Sequence, residues 1–176
     1  MNKIQINGDT KKKKESIIAE KKERIEQWKE IKLEISSNFI DDRETVKAIQ
    51  INSGEIFECF IGENIGEEQC KTRPVLILSK TFYNNNSTQV LIAPLSTTIK
   101  TKKYTKGGNI KTRLSTRTHL LLKKDNFSFL KEDSVVKFEQ IRSVSKVRFT
   151  NKLGSIDEKT LSVVKNRIKD LFDICQ

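Results

Sequence analysis

The spacing of hydrophobic residues divides the chain into two parts near Ser53 and Gly54. Before this point, residues 11–41 are rich in Lys and Glu, lack Pro and Gly, and place apolar residues at intervals of three, four or seven. Residues three or four apart share a helix face, so these intervals predict one long amphipathic helix. Its apolar stripe consists of Ile18, Ile25, Trp28, Ile31, Ile35 and Phe39. We expect this stripe to pack against the rest of the chain, a second copy or a partner protein.

After Gly54 the hydrophobic residues fall in short β-rich runs, separated by connectors that contain Gly, Asn or Lys. Runs at this density, without long helices between them, predict a small antiparallel barrel or a strongly curved sheet. The runs are GEIFECFIG (54–62), RPVLILSK (73–80), QVLIAPLS (89–96), HLLLKK (119–124) and SVVKFEQI (134–141).

A helix is predicted to close the chain. Ser155 and Glu158 have the spacing of a capping box, and an apolar face follows them. The residues of that face are Leu161, Val164, Ile168 and Leu171. The sequence therefore predicts an α+β protein that is mainly β. Its expected parts are a disordered segment (1–10), a charged helix with its linker (11–52), and a barrel domain that ends in a helix (53–176).

The composition favours a single-domain cytoplasmic protein over a disulfide-rich, zinc-binding or membrane protein. A chain of 176 residues, 35% of them hydrophobic and 32% charged, suits one domain with a solvated appendage. Cys59, Cys70 and Cys175 are widely spaced and odd in number, so neither a disulfide framework nor a zinc site is expected. No apolar run is long enough to cross a membrane, and the first residues lack a signal-peptide pattern. We expect a cytoplasmic protein.

Positive charge is concentrated in the β-rich part. The net charge is +11, of which residues 1–52 contribute +2 and residues 53–176 contribute +9. Residues 96–118 contain seven basic residues and no acidic one, among them Lys100, Lys102 and Lys103. This segment is polar, contains Gly and lacks a strand pattern, so we expect a long flexible loop. Such a loop suits a phosphate backbone, although a purely solubilising role is the alternative.

An arginine precedes the apolar run of residues 75–78. Pro74 is expected at the first residue of this strand, where its missing N–H costs least, and it biases Arg73 toward an extended backbone. Arg73 is thus held at the beginning of a buried strand. An ion pair with Glu67 or Glu68 is one explanation. A guanidinium that binds two phosphoryl oxygens is the other.

Most catalytic site types are excluded. There is no Walker or dinucleotide-binding glycine pattern, no HExxH motif and no G-x-S-x-G elbow, and one histidine cannot supply a two-histidine ribonuclease mechanism. RNA can be cut by its own 2′-OH if a protein helps to remove that proton, stabilises the charged phosphorus and protonates the leaving oxygen. Ser96 and Thr97, at the end of QVLIAPLST, would sit beside Arg73 if the two strands are adjacent.

An ordered series of stretches resembles the MazF/PemK/Kid family of toxin ribonucleases. It runs from about Gly54 to Phe172 and includes GEIFECFIG, GEEQCKTRPVLILS, VLIAPLST, THLLL, SVVKFEQIRSVSKVRF and LGSIDEKTLSVVKNRIK. The resemblance implies an SH3-like barrel with a terminal helix, a homodimer, and metal- and cofactor-independent cleavage of single-stranded RNA at short sequences. It implies 2′,3′-cyclic phosphate and 5′-OH products, and a cognate antitoxin that occupies the RNA groove.

The resemblance also implies roles for individual residues. Arg73 matches the catalytic arginine, and Ser96, beside Thr97, stands where many members have a catalytic threonine. The positions that match RNA-contacting or groove residues, together with the basic residues around them, are Gln69, Lys71, Asn84, Lys100, Lys102, Lys103, His119 and Gln140. For Glu139, Gln140 and Arg142, which match an E/D-Q-x-R signature, hydrogen bonding within the barrel or a dimer is an equal alternative. A structural role is the alternative for His119.

The chain departs from the family pattern in three places. Cys70 replaces a glycine ahead of Arg73, the basic segment after Ser96 is longer than in compact members, and the first 50 or so residues have no counterpart. Two other functions stay open at this point. One is a nucleic-acid-binding module that has lost catalysis, and the other is a barrel toxin aimed at a protein, as in related gyrase poisons.

Overall fold

The structure is a computed structural model that describes residues 8–174, with side chains from residue 13 onward. Its helices are α1 (Gly8–Asp41), α2 (Arg43–Ala48), α3 (Thr81–Asn85) and α4 (Glu158–Leu171). Its strands are β1 (Glu55–Gly62), β2 (Lys71–Ile77), β3 (Gln89–Ser96), β4 (Thr101–Lys106), β5 (Asn109–Leu114), β6 (His119–Leu122), β7 (Ser134–Lys137), β8 (Arg142–Ser145) and β9 (Phe149–Ser155). The predicted α+β class is confirmed.

The predicted N-terminal helix begins earlier than expected. It starts at Gly8, so the last three residues of the segment predicted to be disordered are helical. The remainder of that prediction, residues 1–7, lies outside the described residues. None of the helices in the described part of the chain combines the length and the apolarity needed to cross a lipid bilayer.

Within the described residues, seven of the nine strands form one curved antiparallel sheet, as predicted, and β4 and β5 pair separately. The order of the seven-stranded sheet is β6-β7-β3-β2-β1-β9, and β8 pairs with the first half of β3. Strand β3 pairs with β8 through residues 89–92 and with β7 through Leu95 and Ser96. Because β3 pairs with β8 along its first half and with β7 at its end, the sheet bends along β3 and curls into a small barrel.

The central strands are buried on both faces. On one face, Ile56 and Leu76 belong to the core that α4 covers. On the other face, Val75 and Ile77 pack in a second cluster with Ile51, which follows α2. A strand buried on both faces lacks the usual alternation of apolar and polar residues, which explains the uninterrupted apolar run after Pro74.

Helix α1 packs on the barrel through the second half of the predicted stripe. Trp28 is half-buried and lies so close to Gly62 that a Cβ built there would be 2.5 Å from the indole. The side chains of Ile31, Ile35 and Phe39 are also half-buried, in line with the prediction. Ile18 and Ile25 are exposed in the single chain, so their packing against a second copy or a partner protein stays a prediction. This part of the helix meets the barrel through charged side chains instead.

A buried lysine ties the linker to the barrel. The Nζ of Lys146 donates hydrogen bonds to the carbonyl oxygens of Lys47 (3.0 Å) and Ile49 (2.8 Å), at the end of α2. A cation at a helix C-terminus is favourable, because carbonyl groups there lack intrahelical partners. Burial lowers the pKa of the Lys146 ammonium.

Helix α4 has its predicted apolar face but a different cap. Leu161 and Val164 are buried, and Ile168 and Leu171 pack against the same core. The residue that caps the helix is Asp157, whose carboxylate accepts the backbone N–H of Thr160 at 2.8 Å. The capping box predicted from Ser155 was therefore wrong, because Ser155 still belongs to β9.

The basic segment is a β-hairpin, and the prediction of a flexible loop was wrong. Strands β4 and β5 pair from Thr101–Leu114 to Lys106–Asn109. Gly107 and Gly108 form the two-residue turn, with φ of 58° and 76°, which matches the turn type that hairpins favour. The hairpin is exposed on both faces. It therefore carries no apolar alternation from which a strand could have been predicted.

Candidate active site

Arg73 lies in a pocket of about 480 Å³ at the point where β2 meets the end of β3. Strands β2 and β3 are adjacent and antiparallel, which confirms the arrangement required for Ser96 and Thr97 to approach Arg73. The pocket is lined by Glu67, Gln69, Arg73, Pro74, Leu95, Ser96, Thr97, Thr98, Lys100 and Lys137. The structure thus brings the three predicted catalytic residues together with Gln69 and Lys100.

Two charged lining residues were missed by the sequence analysis. Glu67 comes from the β1–β2 loop (residues 63–70) and supplies a carboxylate, and Lys137, at the end of β7, supplies a further cation. Glu67 had been considered only as an ion-pair partner of Arg73. A functional role for Lys137 could not be predicted from its sequence, because a lysine at the end of a strand is ordinary.

The Arg73 guanidinium is held by uncharged acceptors. Its Nε donates to the carbonyl oxygen of Cys70 at 2.8 Å, and one terminal nitrogen donates to the side-chain oxygen of Gln69 and, at 3.4 Å, to the carbonyl oxygen of Leu95. Among the described residues no carboxylate forms an ion pair with it, so the pairing with Glu67 or Glu68 is not observed. Burial lowers the pKa of Arg73. The positive charge is fixed in place and left uncompensated.

Pro74 explains why the Leu95 carbonyl is available to Arg73. Directly after β2, the N–H of Leu78 donates to the carbonyl oxygen of Leu91 at 2.9 Å. The same antiparallel register places Pro74 opposite Leu95, where proline has no N–H to donate. Pro74 is the fourth residue of β2, not the first as predicted. The backbone position that lacks an N–H therefore lies beside the Arg73 pocket, and not at the first residue of the strand.

Gln69 connects Arg73 to the rest of the fold. Its side-chain oxygen accepts from Arg73, its backbone N–H donates to Oε1 of Gln140 at 3.2 Å, and its carbonyl oxygen accepts from Nδ2 of Asn64 at 2.6 Å. Gln69 and Gln140 were predicted to contact RNA. Their hydrogen bonds place both in the framework that positions Arg73, and contact with RNA stays a prediction for each.

Two other predicted RNA contacts are buried. His119 is 7% exposed, and its Nε2 lies 2.9 Å from Oε1 of Glu139. The other carboxylate oxygen of Glu139 accepts a hydrogen bond from the hydroxyl of Thr118 at 2.6 Å. Burial alone would raise the pKa of Glu139, but these hydrogen bonds lower it below its usual range. Asn84 is fully buried and hydrogen-bonds with Ser79. Neither side chain offers a surface to RNA, which corrects both predictions.

Lys71 also lies apart from Arg73. It has a left-handed backbone (φ 69°) and lines a separate pocket of about 310 Å³ together with Trp28 of α1. A register shift in the β1–β2 pairing at Gly62 accompanies this change of direction. Lys71 is exposed, but it does not line the Arg73 pocket as Lys100 does.

The hairpin has two different faces. Because side chains alternate along each strand, the pairing of Lys102 with Arg113 and of Tyr104 with Lys111 places all four on one face. The guanidinium of Arg113 lies 5.0 Å from the centre of the Tyr104 ring, consistent with this placement. Lys103 lies on the opposite face. The hairpin follows the pocket directly, since Lys100 lines the pocket and its carbonyl oxygen accepts the N–H of Ser115 at 2.9 Å.

Free thiols are present near the site. Cys59 and Cys70 are unpaired, and burial raises the pKa of Cys59 to about 12. Cys175 lies outside the described residues. Within residues 13–174 no group of three His, Cys, Asp or Glu side chains is arranged to hold a metal ion.

Comparison with known proteins gives a consistent result. Endoribonuclease EndoA of Bacillus subtilis is 25% identical over 119 residues, which cover 68% of this chain and 91% of that protein. Endoribonuclease MazF of Staphylococcus saprophyticus is 29% identical over 115 residues, with 65% and 85% coverage. A mycobacterial endoribonuclease, solved in complex with its cognate antitoxin, shares the fold with a TM-score of 0.53 at 17% identity, covering 72% of this chain and 98% of that one.

The family model for PemK-like, MazF-like toxins matches residues 52–172, from the end of the linker to the last turn of α4. The matched segment contains the whole barrel and every residue that lines the Arg73 pocket. It excludes α1 and α2. The chain therefore belongs to the PemK-like, MazF-like family of toxins of type II toxin-antitoxin systems.

Proposed function

We propose that this chain is a toxin endoribonuclease that cuts single-stranded RNA at short sequences without a metal ion or cofactor. The observation that carries the proposal is the Arg73 pocket, where a fixed and uncompensated guanidinium lies in the same pocket as the hydroxyl residues Ser96 and Thr97. The 2′-OH of the RNA attacks the adjacent phosphorus. The bond to the 5′-oxygen breaks, leaving a 2′,3′-cyclic phosphate and a 5′-OH.

Each residue of the pocket has a part in this reaction. Glu67, the one carboxylate among the described lining residues, accepts the proton of the 2′-OH. Arg73 neutralises the charge that develops on the phosphoryl oxygens and donates a proton to the leaving 5′-oxygen, and solvent restores it afterwards. Ser96 and Thr97 orient the phosphate by hydrogen bonding.

The RNA extends from the pocket along the hairpin. Lys100 and Lys137 bind the phosphates next to the cut. Lys102, Lys111 and Arg113, on one face of the hairpin, bind further phosphates, and Tyr104 on that face stacks with an unpaired base. This path favours a single strand, because stacking on Tyr104 requires a base that is not inside a duplex.

The pocket and the basic hairpin also indicate which proteins bind this chain. A cognate antitoxin, acidic where it meets the hairpin, covers the pocket and silences the toxin. The mycobacterial endoribonuclease of similar fold, solved with its cognate antitoxin, supports this proposal. We further propose a homodimer, as the family resemblance implies. A cytoplasmic location suits an RNA substrate and the free thiols of Cys59 and Cys70.

The test is cleavage of a long RNA in the presence of EDTA, followed by mapping of the new ends. The wild-type protein should give 5′-OH ends at a recurrent short sequence, and Arg73→Ala should give none. Arg73→Lys, which keeps the charge but loses the planar fork, should retain only a small part of the activity. Arg43→Ala, an exposed arginine on α2, is the matched control. RNA that binds with a steep salt dependence and is never cut would instead indicate a binding module.

A further inference from the structure

We propose that α1 acts as a brace that holds the β1–β2 loop, and through it Arg73, in the cutting position, with Lys21 as a positioning residue. The inference rests on the proposed function but concerns a part of the chain outside the segment that the family model matches. It assigns a role to the N-terminal extension: α1 supports the active site rather than covering it.

The first contact of the brace is ionic. The Nζ of Lys21 donates to a carboxylate oxygen of Glu63 and, at 2.7 Å, to the carbonyl oxygen of Asn64. Arg24 adds a second cation, with its Nε 3.6 Å from the same carboxylate. The Glu63 side chain is only 5% exposed and that of Lys21 is 30% exposed, so this ion pair is only partly open to solvent. Solvent therefore screens it less than the exposed pair between Lys29 and Glu26 on the same helix.

The second contact fixes the direction of the helix over the loop. The Trp28 indole lies against Gly62, the last residue of β1, and the Arg148 guanidinium lies 5.5 Å from the indole ring centre. Arg148 also donates to the carbonyl oxygen of Phe60 at 3.0 Å. The helix and the strand that leads into the loop are thus held by one packed cluster.

A continuous series of hydrogen bonds leads from this cluster to the catalytic arginine. Lys21 holds the backbone of Asn64, and Nδ2 of Asn64 donates to the carbonyl oxygen of Gln69 at 2.6 Å. The side chain of Gln69 in turn accepts a hydrogen bond from Arg73. Gln140 holds the other side of Gln69. The loop is therefore fixed from the barrel by Gln140 and from the extension by Lys21.

The position of α1 argues against a blocking role. No residue of its described part lines the Arg73 pocket. A pocket that α1 does line contains Lys71 and Thr72 but not Arg73. Through its described side chains the helix reaches the site by way of the loop, so its removal should weaken catalysis rather than release it.

The experiment compares Lys21→Ala, Lys21→Arg and the control Lys29→Ala, an exposed lysine of the same helix. Each full-length protein is assayed for kcat and KM on an RNA oligonucleotide with one cut site, and for amide hydrogen exchange of residues 64–70. The single tryptophan, Trp28, reports by its emission whether α1 stays docked. Glu63→Gln is a second variant that removes the ion pair from the other side.

We expect Lys21→Ala to lower kcat about tenfold, since small displacements of a catalytic group are costly, with KM changed by less than about twofold. Exchange of residues 64–70 should rise, Trp28 emission should stay unchanged, and Lys21→Arg should restore most of the activity. Glu63→Gln should act in the same direction.

An unchanged kcat in Lys21→Ala overturns the proposal. A kcat that rises, as relief of self-inhibition would require, also overturns it. If the wild-type protein cuts no RNA, the proposed function fails. In that case amide hydrogen exchange alone tests whether α1 braces the loop. Unchanged exchange of residues 64–70 in Lys21→Ala overturns that proposal.

Discussion

The side-chain oxygen of Gln140 accepts the backbone N–H of Gln69 at 3.2 Å, across 71 residues of sequence. This bond joins the turn after β7 to the loop that holds Arg73. It makes Gln140 a positioning residue, because its effect on the reaction passes through Gln69.

Replacing Gln140 by Ala should therefore lower kcat about tenfold and leave KM nearly unchanged. The physical reason is that the loop loses its anchor on the barrel side, whereas RNA loses no direct contact. Steady-state kinetics on a single-site oligonucleotide measure both constants. Gln50→Ala, an exposed glutamine of the linker, is the control. A rise in KM at constant kcat would show that Gln140 binds RNA directly.

Replacing Pro74 by Ala should reduce activity without loss of stability. The new N–H of residue 74 faces the carbonyl oxygen of Leu95 and extends the β2–β3 pairing, which draws the two strands together beneath Arg73. The added hydrogen bond contributes about 1 kcal/mol, which offsets the lost rigidity of proline in the unfolded chain. We expect kcat to fall roughly threefold with an unfolding free energy within about 1 kcal/mol of wild type. Denaturant unfolding and kinetics test this together, and a stable variant of full activity would contradict it.

The two faces of the hairpin should differ in their contribution to RNA binding. Lys102→Ala and Arg113→Ala should each weaken binding and reduce the slope of log K against log salt by about 1, since each removes one phosphate contact. Lys103→Ala, on the opposite face of the same strand, removes the same charge and should change the slope much less. Tyr104→Leu should weaken binding by about 1–3 kcal/mol through lost stacking. Equal effects of Lys102 and Lys103 would indicate nonspecific attraction by the whole hairpin.

Stability should fall in acid through two carboxylates. Burial would raise the pKa of Glu55, but hydrogen bonds from Lys152 and Asn52 lower it. The pKa of Glu139 is lowered in the same way, by hydrogen bonds from Thr118 and His119. A carboxylate whose pKa is lower in the folded state adds stability above its unfolded pKa, and that stability is lost as the pH falls through the folded value. Unfolding free energy should therefore decrease below about pH 4.3. Glu55→Gln should flatten this decrease, and an unchanged pH profile in that variant would exclude Glu55 as a source.

Much of the site could be predicted because it depends on local sequence. The arginine before a buried strand, and the hydroxyl residues at the end of the next strand, were recognisable from runs of apolar residues and breakers, and the strands are adjacent. Asn84 and His119 were misplaced for a physical reason. A polar side chain at the surface and one buried with a hydrogen-bond partner have the same local sequence, and only the fold supplies Ser79 or Glu139 as that partner.

The sequence by itself determined the helical extension, five of the strands, the curved sheet, the closing helix and the excess of positive charge after Ser96. These follow from periodicity and composition, which act over a few residues at a time. The tertiary structure decided what holds Arg73. Its acceptors come from Cys70, Gln69 and Leu95, and the loop is fixed by Gln140 from one side and Lys21 from the other. Hydrogen bonds between residues that are 42 to 71 positions apart leave no local pattern, because only the folded chain brings their donors and acceptors within reach.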